Sequence, residues 1–142
     1  MLFESWAGLL SPSLFYSHVI EPTRRIVGTL KARFPDVPVI GFPRLSGTLL
    51  GEFARVAGVD AVGMDSATDP AVATKLVPPR TALQGNLDPM ALRIGGGALA
   101  RETKAILTAL RGRPHVFNLG HGILPDTPPE HVSELVRLVS VA

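Results

Sequence analysis

No cysteine occurs anywhere in the 142 residues. That excludes a disulfide framework and any thiolate metal site, and it is compatible with a reducing compartment such as the cytoplasm. Aromatic residues are few, with one Trp and one Tyr, and the arginines are scattered, so the basic and aromatic footprint of a nucleic-acid surface is missing. Like charges form no run, and a formal net charge of +2 is too small to identify a partner. No apolar stretch approaches the ~20 residues that a membrane-spanning helix needs. Met1 to Trp6 carry no positive region ahead of an apolar segment, so no secretory leader is read there. Several chemistries are disfavoured by missing motifs. There is no G-x-x-x-x-G-K-[ST] phosphate loop, no H-E-x-x-H zinc site and no G-x-S-x-G nucleophile elbow. No His, Asp and Glu cluster has metal-ligand spacing, so no metal site is read from the residues.

What is present reads as one folded domain. Hydrophobic residues make up 46% and charged residues 18% of the chain, too apolar for disorder. Leu2 to Ser5 resemble the end of a strand. Ser11-Pro12 is a helix start, with a capping hydroxyl ahead of proline at the first helical position. Leu14, Phe15, Val19, Ile26, Val27 and Leu30 then recur near helical spacing, with Pro22 expected to kink or divide the helix. Val37 to Phe42 is an apolar run of buried-strand type, ended by Pro43. A helix follows over Leu49 to Ala57, closed by Gly58. A third strand is expected over Val59 to Met64, a short helix from Asp69-Pro70 to Leu76, and a fourth strand over Thr81 to Gly85. Gly95-Gly96-Gly97 reads as a flexible joint before a helix carrying Leu99, Ile106, Leu107 and Leu110. His115 to Leu119 is a fifth strand. Thr127-Pro128-Pro129-Glu130 has the form of a capping box for a last helix that buries Val132, Leu135, Val136 and Val139.

Strict alternation of strands and helices, with buried-type strands, means parallel β-α-β units. Two closures fit: an open doubly wound sheet or a (β/α)8 barrel. No G-x-G-x-x-G follows the first strand, which lowers the dinucleotide-binding version. A full barrel needs about 250 residues, so on the barrel reading the five units here are expected to be the C-terminal portion of a larger domain, with residues 1–142 all in that one domain.

Each expected strand ends in polar residues or glycine: Glu4-Ser5 then Gly8, Arg44, Asp65, Gln84-Gly85-Asn86, and Asn118-Leu119-Gly120-His121-Gly122. In parallel α/β folds the ligand site lies at the carboxyl ends of the strands. His121 is the strongest single candidate. Glycines on both sides would let the chain turn sharply, and an imidazole can donate to an anion or move a proton near neutral pH. The competing reading is a turn histidine whose ring bonds a nearby carbonyl. Ser5 could bond a ligand carboxylate or be a plain turn hydroxyl. Arg44 could pair bidentately with a carboxylate or with a rim acid such as Asp65. Asp65 and Asp88 could be acid-base groups, but both precede helices and capping fits each better. His18, His115 and His131 read as structural or exposed.

Taken together, Phe3-Glu4-Ser5-Trp6-Ala7-Gly8, Gly41-Phe42-Pro43-Arg44, Gly58 through Asp65, Ala82-Leu83-Gln84-Gly85-Asn86-Leu87-Asp88-Pro89, and Phe117 through Ile123 with Pro125-Asp126 and Pro128-Pro129-Glu130-His131-Val132 resemble the uroporphyrinogen decarboxylase family over essentially the whole chain. The resemblance implies a (β/α)8 TIM-type barrel, incomplete here, with a deep cleft at its C-terminal rim. It implies cofactor-independent decarboxylation of the four acetate side chains of uroporphyrinogen III, giving coproporphyrinogen III in porphyrin and haem synthesis. It implies an anionic porphyrinogen as partner, a cytoplasmic setting, and a homodimer. It puts substrate contacts on Ser5 and His121, with Arg44 at a rim position that varies among members. The family's R-Q-A-G-R motif, its essential aspartate and a substrate-contacting tyrosine belong N-terminal to the matching region, so no catalytic acid or base is expected within this chain. The chain departs from many relatives at Leu45-Ser46, where glycine and alanine are usual, and at Ser66, where tryptophan is usual. A non-catalytic remnant, a half-barrel needing an N-terminal partner, and a methyltransferase relative are the competing expectations. The absence of cysteine weighs against the zinc-dependent form of the last.

Overall fold

The computed structural model describes residues 1–140. Five parallel strands form one sheet: β1 (Leu2–Glu4), β2 (Ile40–Pro43), β3 (Ala61–Gly63), β4 (Ala82–Leu87) and β5 (His115–Leu119). They lie side by side in chain order, β1-β2-β3-β4-β5, and every pairing is parallel. This order, among the described strands, is the one consistent with a barrel closure. A doubly wound sheet reverses direction at a switch point, whereas an arc of a (β/α)8 barrel runs sequentially. The connections are α1 (Pro12–Phe15) and α2 (Glu21–Arg33), then α3 (Leu50–Val56), α4 (Pro70–Leu76), and α5 (Pro89–Ile94) with α6 (Gly96–Ala109); α7 (Pro129–Ser140) follows β5.

The helices cover one face of the sheet. Leu2, Phe117 and Leu119 lean onto a core in which Phe15, Ile20, Leu50, Phe53, Val62, Met64, Leu83, Leu87, Leu92 and Leu99 are buried. Alternate strand residues point the other way. On that face Phe3 is 69% and Val116 47% exposed, so the concave side of the sheet is open.

Several local expectations are corrected. The stretch from Pro12 to Arg33 is not divided by Pro22. Tyr16–Ile20 form a π-helical turn instead, and Pro22 falls in the first turn of α2. Proline has no N–H to give and its ring crowds the carbonyl four residues back, which the wider turn relieves. Leu14, Ile26 and Leu30 lie on the exposed side of this helix, whereas Phe15, Val19 and Val27 are buried. Strand β2 begins at Ile40 rather than Val37. The Val39 N–H donates to Asp60 Oδ2 at 2.6 Å, outside the ladder. Strand β4 runs two residues past Gly85, because Asn86 and Leu87 pair with Asn118 and Leu119. The three glycines are no flexible joint: α5 closes at Gly95, whose φ of 72° suits glycine, and α6 begins at Gly96.

The last helix differs most. It starts at Pro129, and Thr127 Oγ1 is buried with no hydrogen-bond partner, so the capping box does not form. Its expected buried face is only half realised. Of the four expected residues, Leu135 packs against the core beside Leu138 and Val139 is half-buried, whereas Val132 is 37% and Val136 59% exposed. The helix itself forms over Pro129–Ser140, but none of its residues is buried, and nothing among the described residues covers Val132 and Val136.

At the end of the sheet opposite the polar rim, Arg113 joins two connections. Its guanidinium donates to the carbonyls of Thr74, Val77, Pro78 and Thr81 at 2.8 to 3.2 Å. Burial depresses its pKa without threatening its charge. No helix among the described residues is long and apolar enough to cross a membrane.

Candidate functional site

Parallel strands in register deliver all five carboxyl ends to one edge. Glu4 lies opposite Pro43, so Ser5 and Arg44 leave neighbouring strands side by side. The Arg44 N–H donates to the Glu4 carbonyl and the Gly8 N–H to the Arg44 carbonyl, each at 3.0 Å, which stitches the first two loops together. Gly63 lies opposite Gln84, and Asn86 opposite Asn118. The result is a cleft of about 420 Å³ lined by Ser5, Arg44 and His121 together with Gln84 and Asn118, over an apolar floor of Phe3 and Phe42. The two floor rings meet edge to face with centroids 6.0 Å apart. Gly63 makes that floor possible, since a Cβ there would lie 2.5 Å from Phe42 Cδ2.

Local geometry separates the sequence candidates. Ser5 is exposed, and its hydroxyl makes no hydrogen bond among the described residues. Arg44 is half-buried and takes part in none of the ion pairs among the described residues, which are Arg24–Glu21, Lys31–Asp60 and Arg93–Asp126. The pairing of Arg44 with Asp65 therefore does not form. Asp65 is only 5% exposed and its carboxylate is fully engaged. Oδ2 accepts the Leu45 N–H at 2.6 Å, while Oδ1 accepts the Ala67 N–H at 3.0 Å and the Thr68 hydroxyl at 3.2 Å. Nor does Asp65 cap a helix. Asp69 caps α4, accepting from Ala71 and Val72, and Asp88 caps α5, accepting from Met90.

His121 is exposed, and its ring finds no hydrogen-bond partner among the described residues. The ring-to-carbonyl role belongs to two other histidines. His115 Nε2 lies 2.7 Å from the Gly85 carbonyl, and His131 Nδ1 lies 3.0 Å from that of Leu92. The chain bends at Gly120 and His121, as expected, although neither neighbouring glycine has a positive φ. Gly120 also makes room for a close approach. A Cβ there would meet the backbone of Asp65 and Ser66, at 2.8 Å from Asp65 C and Ser66 Cα and closer still to Ser66 N. Gly122 has nothing within 4 Å of such a Cβ.

Two strand-end residues contribute in ways that the sequence does not mark. Gly8 abuts Leu45, whose φ of 58° is left-handed, and no pattern in the sequence announces that contact. Asp65 was noticed as a strand-end acid, but its partners are backbone N–H groups that no side-chain motif could mark. The free polar groups of the cleft are thus mainly hydrogen-bond donors: a hydroxyl, a guanidinium, an imidazole and side-chain amides. Of the acids near it, Asp65 is fully bonded as described, and Glu4 Oε1 accepts the Trp6 N–H at 2.9 Å. Such a surface suits a ligand with carboxylates around an apolar body.

Comparison with known proteins agrees with this chemistry. A family model described as uroporphyrinogen decarboxylase matches residues 1–141. A protein of Granulibacter bethesdensis named uroporphyrinogen decarboxylase is 63% identical over 139 residues, covering 98% of this chain and 40% of that protein. Proteins of the same name from Gluconacetobacter diazotrophicus and Acidiphilium cryptum are 56% and 57% identical, over 98% and 96% of this chain and 39% and 38% of theirs. The chain therefore spans about 40% of the length of the curated relatives it matches. The narrower expectation, that the segment is the C-terminal portion of the barrel, is not supported by these matches, which carry family and extent. On both the match across its length and the identity to these relatives, the chain belongs to the uroporphyrinogen decarboxylase family.

Proposed function

We propose that this chain supplies one wall of the active-site cleft of a uroporphyrinogen decarboxylase, the enzyme that removes the four acetate carboxyl groups of uroporphyrinogen III to give coproporphyrinogen III. The observation that carries the reading is the convergence of Ser5, Arg44 and His121, from three separate strand ends, on one donor-rich cleft with an aromatic floor. Arg44 offers a bidentate fork to a substrate carboxylate, with the Ser5 hydroxyl beside it and the His121 imidazole across the cleft. Phe3 and Phe42 offer apolar surface to the pyrrole rings.

In this reading the residues of this chain bind and orient. The pyrrole, once protonated at a ring carbon, accepts the electrons released with carbon dioxide. The group delivering that proton lies outside this segment. The sheet is an arc of a (β/α)8 barrel: β1 and β5 each pair on one side only, which leaves two edges for further strands to join. We assign the segment to the C-terminal part of that barrel because the R-Q-A-G-R motif, which the resemblance places near the family's N-terminus, does not occur in residues 1–142. A cytoplasmic setting and a homodimer with facing clefts complete the reading.

The test is reconstitution. Purified chain and a complementary piece supplying the other barrel units are assayed, separately and mixed, for conversion of uroporphyrinogen III to coproporphyrinogen III. The mixture is expected to decarboxylate, and Arg44→Ala or His121→Ala in this chain to lower its activity by tenfold or more. Robust conversion by this chain alone would overturn the division of roles. Full activity of the mixture with Ser5, Arg44 and His121 all replaced by alanine would overturn the site.

A further inference from the structure

Among the described residues no side-chain hydrogen bond or ion pair joins the loops that carry Arg44 and His121, yet both are fixed to the same two residues. Asp65 and Ser66 follow β3, midway along the rim. On one side the Asp65 carboxylate holds the Leu45 N–H at 2.6 Å, the peptide group next to Arg44. On the other side the Asp65–Ser66 backbone fills the space that the missing side chain of Gly120 leaves, one residue before His121. Below, the Asp65 carbonyl accepts Asn86 Nδ2 at 3.0 Å, and the same amide donates to the Thr68 carbonyl at 2.6 Å. The turn is closed within itself by Ala67 and Thr68 on Oδ1. Leu45 shows that this fixation holds the chain against its own preference. It is a leucine at φ 58°, a region that L-residues with a Cβ avoid; its N–H is aimed at Oδ2, and Gly8, in the turn after β1, leaves no room for a Cβ against it.

We propose that Asp65 is a positioning residue of the carboxylate-binding cleft, acting through Leu45 to aim Arg44 and, through the backbone that Gly120 abuts, setting the distance of His121 from it. This inference rests on the proposed function for the identity of the ligand. Both carboxylate oxygens accept N–H donors, so an amide cannot replace them: one of its two ends would present N–H to N–H. Asp65 itself does not reach the ligand, because it is buried and its oxygens are occupied.

The experiment is a double-mutant cycle on the full 142-residue chain. Uroporphyrin III, the oxidised and air-stable form of the substrate ring, is titrated against wild type, Asp65→Asn, Arg44→Ala and the double variant. Each single substitution is expected to weaken binding about tenfold, the usual scale for losing a charge-assisted contact. If Asp65 acts through Arg44, the double variant stays within a few-fold of Arg44→Ala alone. A double variant weakened about a hundredfold, the product of independent effects, overturns the inference, as does unchanged binding by Asp65→Asn.

A second readout needs no ligand. In the proton spectrum the Leu45 amide, bonded to a carboxylate, is expected far downfield and to move upfield in Asp65→Asn, with the His121 ring signals shifting too. Unmoved Leu45 and His121 signals overturn the inference whether or not porphyrin binds. Porphyrin failing to bind wild type while these signals move sinks the ligand reading and leaves the positioning intact. Should Asp65→Asn fail to fold, Thr68→Val removes one donor from the same carboxylate and is expected to weaken binding about threefold, with a smaller Leu45 shift. No change in either readout then counts against the inference.

Discussion

The two glycines flanking His121 look equivalent in sequence and differ sharply in space, which makes a pair of alanine substitutions informative. At Gly120 an added methyl would sit 2.8 Å from Asp65 C and Ser66 Cα and closer to Ser66 N, all backbone atoms that no rotamer change can clear. Ordinary contact begins at 3.4 Å, so the two loops must part by at least 0.6 Å, the difference between those distances. Overpacking of this kind costs about 1–3 kcal/mol, and rigid backbone on both sides places Gly120→Ala near the top of the range. Since φ at Gly120 is not positive, alanine adopts it freely. The stiffer unfolded chain returns about 0.4–1 kcal/mol. A net loss of about 2 kcal/mol is expected, or roughly 6 °C in Tm for a chain of this length. At Gly122 nothing lies within 4 Å, and Gly122→Ala should stay within about 0.5 kcal/mol of wild type, either way. Urea unfolding followed by circular dichroism reads both. Equal losses for the two variants, or none at Gly120, would refute the claim that the His121 loop is seated on Asp65–Ser66.

Other expectations follow from the same contacts. Arg113→Ala strips a half-buried donor from four carbonyls and should destabilise by about 2–3 kcal/mol in urea unfolding, with Arg113→Lys recovering only part because its point charge cannot fork. Leu45→Gly relieves a left-handed leucine and should raise stability by about 0.5–1 kcal/mol; a loss would mean that the leucine side chain matters more than its backbone strain. His121→Ala should leave the unfolding midpoint unchanged, whereas His131→Ala, which removes a ring bonded to the Leu92 carbonyl and packed on Gly95, should lower it by about 1 kcal/mol. Burial works to raise the Asp60 carboxyl, but the hydrogen bond from Lys31, the Val39 N–H and the Lys31 charge outweigh it and hold the pKa below its ordinary range. Its stabilisation is therefore complete above the unfolded value near 4 and is lost as pH falls through the lower folded value. Acid titration of stability below about pH 4 should be shallower in Asp60→Asn, and salt should narrow the difference because the pair is partly exposed.

The sequence showed the order of the strands well, because apolar stretches such as Val37 to Phe42 leave few alternatives in a parallel fold, but not their ends: β2 begins at Ile40, and β3 is only Ala61–Gly63 of the expected Val59 to Met64. It did not show which face of each element would be covered. Val132 and Val136 have the spacing of a buried stripe, yet burial depends on a neighbour, and none lies there among the described residues. The capping pattern at Thr127 fails for a related reason: the helix begins at Pro129, one residue later than the pattern needs, and the threonine hydroxyl turns inward without a partner. At the rim, the residues that face the cleft were legible, because Ser5, Arg44 and His121 each lie just past the carboxyl end of a strand. What holds them was not. Asp65 and Gly120 act through backbone N–H groups and backbone proximity, and pairings across 20 residues or more leave no local trace.

The central claim is that Ser5, Arg44 and His121 together form a wall that binds the carboxylates of a tetrapyrrole. Titrating uroporphyrin III against the wild-type chain and the Ser5→Ala, Arg44→Ala, His121→Ala triple variant tests it most directly, with urea unfolding measured on both. Saturable binding by wild type that falls a hundredfold or more in the triple variant, at an unchanged unfolding midpoint, is the predicted result. Equal affinity for the two proteins would contradict it.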